Sequence, residues 1–551
     1  MSQITGETER ILPIAFFRCA PTPMPQRVTA YDAIPYPSSP FRQSRPERLA
    51  AIAKLFGLDA PAPERCRVLE LGCSMGGNLL VIAQDYPESR CVGIDASSRQ
   101  IAEGWKTIDA LGLKNIQLKH LDILDVGEEL GQFDYIISHG VFSWVPAAVQ
   151  NKMLEICKTH LVPNGVAYIS YNTFPGWHIR GVVRDIMLYR GMQFADPAAR
   201  LAQAKSLVEF VAQASRGSDT PYQTLLQSEL KHIGQVEDYY LHHEHLEENN
   251  QPLYFHEFAK KLAVNGLQYL GDADFSTMVS TNFSSEVAKT LNELGAHDII
   301  QMEQYMDFVR CRYFRKSLIC HSGVRLNRTI TPAIVKDLLL ATDAAPSPAE
   351  AQFDPAVAVS FQTPAGFSIT CRSPLTKAAF RALREAWPMP VAFADLVARS
   401  RSDVAKAGHP VDEAGATDFL AGEMLTSMAA GVVEWRLTPV PFTTVVSQMP
   451  ATTPLARLQS AQGYKVTNLR GEVVSVDEIH RQALRQLDGT RDLAALVEAL
   501  MESLRKGDMV LHRDGDKSVV TDEAEMRRLL RPALEKVLDN LARKALLAAP
   551  S

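Results

Sequence analysis

No apolar run in this chain of 551 residues approaches the roughly 18 to 20 residues that cross a bilayer, so a soluble protein without a membrane span is expected. Eight cysteines, Cys19, Cys66, Cys73, Cys91, Cys157, Cys311, Cys320 and Cys371, are scattered without a C-x-x-C pair. That argues against a zinc site or a disulfide scaffold and fits a reducing cytoplasm. Basic charge is not in excess: 57 Lys and Arg stand against 63 Asp and Glu, a formal net charge of −6. Nothing draws the whole chain to nucleic acid, and no nucleic-acid partner is expected. The single candidate targeting segment, Ile11 to Phe17 (ILPIAFF), is short, follows Glu7, Glu9 and Arg10, and leads into a Pro-rich stretch. It reads as a surface arm or an overcalled start.

With 46% hydrophobic and 22% charged residues over this length, one core is not enough, and three or four domains are expected. RPERLAAIAKLFG, Arg45 to Gly57, has the period of an amphipathic helix. Strands and helices then alternate: RVLEL, a Gly-rich turn, the helix Gly77 to Asp85, CVGID, the helix Ser98 to Leu111, IQLKHLD, FDYIISHG, the helix Ala147 to His160, and GVAYISY. Five strands in this rhythm imply a parallel, doubly wound α/β sheet. From Gly181 to Leu262 helical periodicity takes over. GLQYLGDADF and FRKSLICH, at Gly266 and Phe314, suit an antiparallel pair closing the sheet. ATDAAPSPAEAQFDP, Ala341 to Pro355, reads as a linker. Beyond it an internal echo links FRALR, FADLVARS and FLAGEMLTSMAAGVVEW with QALRQL, LAALVEAL and LLRPALEKVLDNLARKALL, which suggests two small winged-helix-like modules.

The turn Glu70-Leu71-Gly72-Cys73-Ser74-Met75-Gly76-Gly77-Asn78 lies between a strand and a helix, where glycine permits a sharp bend and close backbone approach of a cofactor. Gly72-x-Ser74-x-x-Gly77 is also a degenerate dinucleotide fingerprint. Glu70 shifts the balance, because a carboxylate suits the ammonium of a methionine moiety and repels a pyrophosphate. Asp95, with Ala96 after it, ends the second strand, where an acid accepts from two ribose hydroxyls; both cofactor classes share that position. Asp122 could accept from an adenine amino group while Ile123 covers the ring, or it could be a helix N-cap or turn residue. His242, His243 and His245, with Glu244 and Glu247, lack H-E-x-x-H spacing; no metal is expected, and a solvated helix face accounts for them.

The set ELGCSMGGN, CVGIDAS, HLDILD, FDYIISHG and LVPNGVAYIS resembles the class I S-adenosylmethionine methyltransferases, with Ser74 in place of the middle glycine of E-x-G-x-G-x-G. YDAIPYPSSPFRQSRPERL, SYNTFPGWHIR, YFHEFAKKLAVNGLQYL and EQYMDFVRCRYFRKSLICH extend the resemblance to bacterial methyltransferases with a methyltransferase regulatory domain, a group that includes rickettsial outer-membrane-protein lysine methyltransferases. This resemblance implies a Rossmann-like class I methyltransferase sheet with a helical insertion, plus α+β C-terminal winged-helix-like domains. S-adenosyl-L-methionine would be held by Glu70, Gly72, Cys73, Ser74, Gly76, Asn78, Asp95, Ala96, Asp122 and Ile123, with His139 and Gly140 lining the methyl-donor end. Tyr31, Tyr36, Trp144, Tyr171, Asn172, Trp177 and His178 flank the expected mouth as candidate walls of an acceptor channel. The organisation expected is an arm over 1–45, a cofactor core over 46–180, a helical regulatory or dimerisation insertion over 181–265, closing strands and helices over 266–340, and winged-helix-like domains over 356–450 and 460–551. The expected activity is methyl transfer to a protein lysine, with an outer-membrane protein as one implied substrate and a homodimer as one implied assembly. Two alternatives stay open, a small-metabolite methyltransferase and a cofactor-sensing DNA-binding regulator.

Overall fold

The computed structural model describes residues 38–217, 219–296, 298–348, 353–410, 415–513 and 518–550. The Ile11 to Phe17 segment, Tyr31 and Tyr36 lie outside them. A seven-stranded sheet forms the centre, in the order β3-β2-β1-β4-β5-β7-β6. Its strands are β1 (Arg67–Leu71), β2 (Arg90–Asp95), β3 (Ile116–His120), β4 (Phe133–Ser138), β5 (Leu161–Asn172), β6 (Leu267–Asp272) and β7 (Phe314–His321). The first five are parallel, and β7 runs antiparallel to both β5 and β6. Val68, Leu69 and Leu71 are buried, as in a parallel strand covered on both faces, and Glu70 is buried among them.

Helices α1 (Pro46–Leu55), α2 (Gly77–Asp85) and α3 (Ser98–Leu111) share one core with one face of the sheet. On the other face α4 (Ala147–His160) contributes Met153, Leu154 and Cys157. Local signals set the limits of α3: Ser97 Oγ accepts from the Gln100 N–H at 3.2 Å, and Gly112 ends the helix in the left-handed region.

Between β5 and β6 lie α5 (Gly176–Gly191), α6 (Pro197–Ala214), α7 (Pro221–Ile233), α8 (Asp238–His245) and α9 (Phe255–Val264). The first four bury a small core of their own, including Val183, Met187, Val208 and Leu241. Here the solvated-face expectation fails. His242, His243 and His245 are 7%, 5% and 1% exposed, because Leu241 and Leu246 seat α8 against α5 and α6. Burial pushes His242 and His245 down to about 4, so both rings are neutral. Among the described residues no group of His, Cys, Asp or Glu converges as a metal site.

Between β6 and β7 stand α10 (Ser285–Leu294) and α11 (Ile299–Arg310). A buried ionic cluster ties α11 to the hairpin. Arg315 of β7 donates from Nε to Asp307 Oδ2 at 2.7 Å and from Nη2 to Glu303 Oε2 at 2.9 Å, and Arg312 reaches Asp272 Oδ2 at 2.7 Å. The Arg315 guanidinium is fully buried, 3.8 Å from the Phe255 ring centroid.

The described first part of the expected linker, residues 341–348, is structured. Within it or at its edge lie β8 (Leu339–Ala341) and β9 (Ala345–Ser347), Ala344 is fully buried, and Thr342 Oγ1 donates to the Val432 carbonyl at 2.6 Å. Small residues such as alanine can pack wherever a neighbouring surface comes close, so their abundance did not mark a boundary. β9 pairs with β10 (Val359–Gln362), which pairs with β11 (Ser368–Cys371). Next come α12 (Pro374–Ala386), β12 (Val391–Ala392), α13 (Phe393–Lys406), α14 (Ala416–Ala429) and β13 (Glu434–Arg436), with β8 paired between β12 and β13.

The last module contains α15 (Pro454–Gln462), β14 (Lys465–Thr467), β15 (Val473–Ser475), α16 (Glu478–Gln486), α17 (Leu493–Lys506) and α18 (Glu523–Arg543). The internal echo aligns α12, α13 and α14 with α16, α17 and α18. Bridges after α16 (Ala451 with Asp488) and after α18 (Phe442 with Ala548) take the places that β12 and β13 hold in the earlier module. Among the described residues no helix is long and apolar enough to cross a membrane.

Candidate active site

Strand order reverses at β1, which has β2 on one side and β4 on the other, so a crevice opens beyond the carboxyl ends of β1 and β4. The loop after β1 and the loop after β4 meet there. Gly72 has φ +72°, and a Cβ on it would come within 2.5 Å of Val141 Cγ2. The site therefore tolerates no side chain at Gly72. Ser74 is held at φ +53°, in the left-handed region that the usual glycine adopts freely. Its N–H donates to Asp95 Oδ2 at 2.8 Å, and Asp95 Oδ1 accepts from the Ser97 N–H at 2.8 Å. Asp95 is thereby fixed between the glycine loop and the start of α3. Cys73 is buried, Gly76 caps α2, and Ala96 is exposed beside Asp95.

Glu70 is 3% exposed at the crevice floor. Its Oε1 accepts from Asn78 Nδ2 at 3.0 Å, while its Oε2 is buried without a hydrogen-bond partner. Burial, opposed by the Asn78 bond and assisted by nearby Asp95, pushes the Glu70 carboxyl up to about 8. An orphaned buried acceptor suits a cationic donor from a ligand, and these residues fit the methionine ammonium. Asp122 follows β3, and its Oδ1 caps a 3-10 turn by accepting from the Leu124 N–H at 2.9 Å. The helix-cap alternative thus describes at least one of its oxygens. Ile123 is half-buried in the same turn.

After β4, His139 Nδ1 lies 2.8 Å from Tyr168 Oη, and the Gly140 N–H donates to Ser170 Oγ at 2.8 Å. Burial, with Lys316 nearby, pushes His139 down to about 3, so its ring is uncharged. A Cβ on Gly140 would meet nothing within 4 Å, which leaves open space above the loop. The loop continues to Ser143, whose Oγ accepts from the Asn172 N–H at 2.8 Å and so joins the ends of β4 and β5.

The expected channel wall divides. Trp144 packs edge-on against Trp177 at 6.1 Å, and exposed His178 stacks on Phe174 at 4.0 Å and lies 3.3 Å from Tyr254 Oη. Asn172 is buried, with Nδ2 donating to Asn250 at 3.1 Å. Trp177 is 2% exposed, and its Nε1 is buried without a partner. Tyr171 is a correction: at 1% exposed it belongs to the core, its ring 4.2 Å from Phe258 and its hydroxyl 3.0 Å from Ser317 Oγ. Alternation along β5 turns Tyr171 inward, away from any mouth.

Residues 68–165 match the family model described as a methyltransferase domain, residues 237–321 the one described as a predicted methyltransferase regulatory domain, and residues 448–546 the one described as the PKMT C-terminal winged helix domain. The uncharacterized protein RP789 of Rickettsia prowazekii is 35% identical over 522 residues, 93% of each chain. The structure of PKMT2 from Rickettsia typhi superposes with a TM-score of 0.84 at 30% identity, covering 93% of this chain and 100% of that one. The chain belongs to the PKMT-type methyltransferases. PKMT2 in complex with AdoHcy superposes almost as closely, with a TM-score of 0.83 at 32% identity. Like other methyltransferases of its kind, the chain uses S-adenosyl-L-methionine.

Sequence reasoning missed the strap over the methyltransferase crevice. Ser38 Oγ accepts from the Gly77 N–H at 2.7 Å, the Phe41 N–H donates to Asn78 Oδ1 at 3.0 Å, and Asn78 Nδ2 reaches Ser44 Oγ at 3.1 Å. The Phe41 ring lies 3.8 Å from that of His139. Gly77 permits this approach, since a Cβ there would sit 2.6 Å from the Ser38 carbonyl. SSPFRQS carries no local period that signals a contact so distant along the chain.

Glu70 gives the methyltransferase a testable pH dependence. An ammonium partner needs the carboxylate, so affinity for S-adenosylhomocysteine should rise with pH, by up to about tenfold per unit below about 8. In the unliganded protein the sign is opposite. The folded state retains a proton that the unfolded chain releases near its ordinary carboxylate pKa, so this group removes stability as pH rises from there to about 8. Glu70→Gln should flatten both trends, as checked by calorimetry and thermal melting across pH 6 to 9. Equal slopes in variant and wild type would reject the assignment.

Proposed function

We propose that this methyltransferase acts on the ε-amine of protein lysine. The observation that carries this reading is the end-to-end likeness to PKMT2, including the winged-helix module, with PKMT read as protein lysine methyltransferase. Bound S-adenosylmethionine supplies an electrophilic methyl group on its sulfonium. The protein's own share is to hold the acceptor nitrogen in line with that methyl, and positioning of this kind is worth several kcal/mol. Free lysine is an ammonium with a pKa near 10.4, inert as a nucleophile, and a water-poor aromatic wall favours its neutral form. Trp144, Trp177 and Phe174 supply such a wall beside Asn172. Exported outer-membrane proteins as acceptors, a homodimer and a cytoplasmic location belong to the same reading.

Incubation of the purified protein with methyl-labelled cofactor and cell fractions tests it. Label is expected in protein bands and, after hydrolysis, in methyl-lysine. Label confined to low-mass material would instead establish a small-metabolite enzyme. Trp144→Ala should lower kcat while leaving S-adenosylhomocysteine affinity intact.

A further inference from the structure

Away from the crevice, the turn Arg42–Ser44, α1, the module containing α12–α14 and the C-terminal module meet around a cavity of about 40 Å³. At 10 to 15 Å³ for each water-sized centre, that is room for roughly three or four. Four guanidinium groups line it, Arg42, Arg48, Arg436 and Arg470, against two carboxylates, Glu47 and Glu434.

Both carboxylates are already engaged. Arg42 grips Glu434 with both terminal nitrogens, at 2.8 Å and 2.5 Å, and Arg470 Nη2 reaches it at 2.9 Å. Glu472, behind them, pairs with Arg42 at 3.1 Å and Arg470 at 3.2 Å. Glu47 is held by Arg45, which also binds Asp85 at 2.8 Å. Arg48 and Arg436 are left over. Arg48 has the Trp435 ring, with Cζ 5.7 Å from its centroid, and Arg436 donates from Nε to the Thr438 carbonyl at 2.7 Å. Among the described residues neither has a carboxylate at ion-pair distance. Glu434, Asp274 and Glu47 act on Arg48 from farther off and Glu47 acts on Arg436, while the charge of Arg42 opposes them at both. These do not offset the loss of water, and burial holds both groups below the usual arginine range.

A guanidinium keeps its proton in proteins, so a half-buried pair that faces one cavity without a carboxylate at ion-pair distance suits a counter-charge, and its fork of donors matches an oxyanion. We propose that this cavity is a binding site for a small tetrahedral oxyanion of the phosphate or sulfate class, gripped by Arg48 and Arg436. The ion would cross-link two parts of the chain, since Arg48 belongs to α1 and Arg436 to β13, in a cavity that Arg470 of the C-terminal module also lines. The proposal is independent of the acceptor that the enzyme methylates.

Full-length protein titrated with inorganic phosphate against chloride at matched ionic strength tests it, by calorimetry and thermal melting. Saturable binding is expected, with a rise in melting temperature that chloride does not reproduce. Arg48→Gln and Arg436→Gln should each weaken phosphate binding at least tenfold, and without phosphate they should melt no lower than the wild type. If either glutamine variant fails to fold, Arg48→Lys and Arg436→Lys keep the charge without the fork and should still bind phosphate less tightly. Equal effects of phosphate and chloride, or variants that bind phosphate as the wild type does, would overturn the site. Equal binding of glycerol phosphate would overturn the assignment to a small free ion.

Discussion

Asp95→Ala is expected to weaken S-adenosylhomocysteine binding by at least about 100-fold, measured by calorimetry. Hydrogen bonds to a charged acceptor contribute about 1.5 to 3 kcal/mol each, and two ribose hydroxyls account for a loss of this size. The substitution also frees the Ser74 and Ser97 N–H groups that Asp95 now holds at 2.8 Å. Ser74 sits at φ +53° with that anchor in place; without it the loop can relax away from a conformation that a non-glycine residue adopts at a cost. Asp95→Asn keeps an acceptor oxygen and should lose less. Unchanged affinity in Asp95→Ala would remove this residue, and with it the crevice between β1 and β4, from the cofactor site.

The second large effect belongs to stability. Arg315→Met should lower the free energy of unfolding by about 3 to 5 kcal/mol, because it strands the buried carboxylate of Glu303 without its cation and leaves Asp307 only the longer 3.8 Å pair with Arg312. Chemical denaturation of the unliganded protein measures it. The triple variant Arg315→Met, Glu303→Gln, Asp307→Asn distinguishes stranded charge from lost packing: recovery of much of the stability is expected. Failure to recover would place the cost in the packing of Arg315 against the Phe255 ring, 3.8 Å away.

The parallel half of the sheet was readable because its signal is local. RVLEL and FDYIIS are apolar runs between turn residues, and β1 begins and ends where the sequence places it. The same local signal places Glu70, Gly72 and Asp95 near one another, each tied to the end of a strand. The cluster of Asp272, Glu303, Asp307 and Arg315 was not readable, since its members come from three elements and look like ordinary surface charges in the chain. The histidines of α8 misled in a related way: a run of polar residues suggests solvent, and only the packing of α5 and α6 decides otherwise. Tyr171 and Asn172 both flank the expected mouth in sequence, whereas strand alternation sends the two side chains in opposite directions.

The apolar core that joins α1–α3 and one face of the sheet continues without a seam into Leu340, Phe380, Leu420 and Trp435 of the module containing α12–α14. The C-terminal module, its counterpart in helix order, keeps a separate interior built on Leu484, Leu500, Leu534 and Leu538. Two segments that echo each other in sequence therefore have different standing as cooperative units. One shares its interior with the catalytic sheet, and a truncation placed before it would cut through that interior. The other builds an interior of its own and meets the rest through the Arg470 pair with Glu434 and the small apolar cluster of Phe442, Leu469 and Ala545 against Met389.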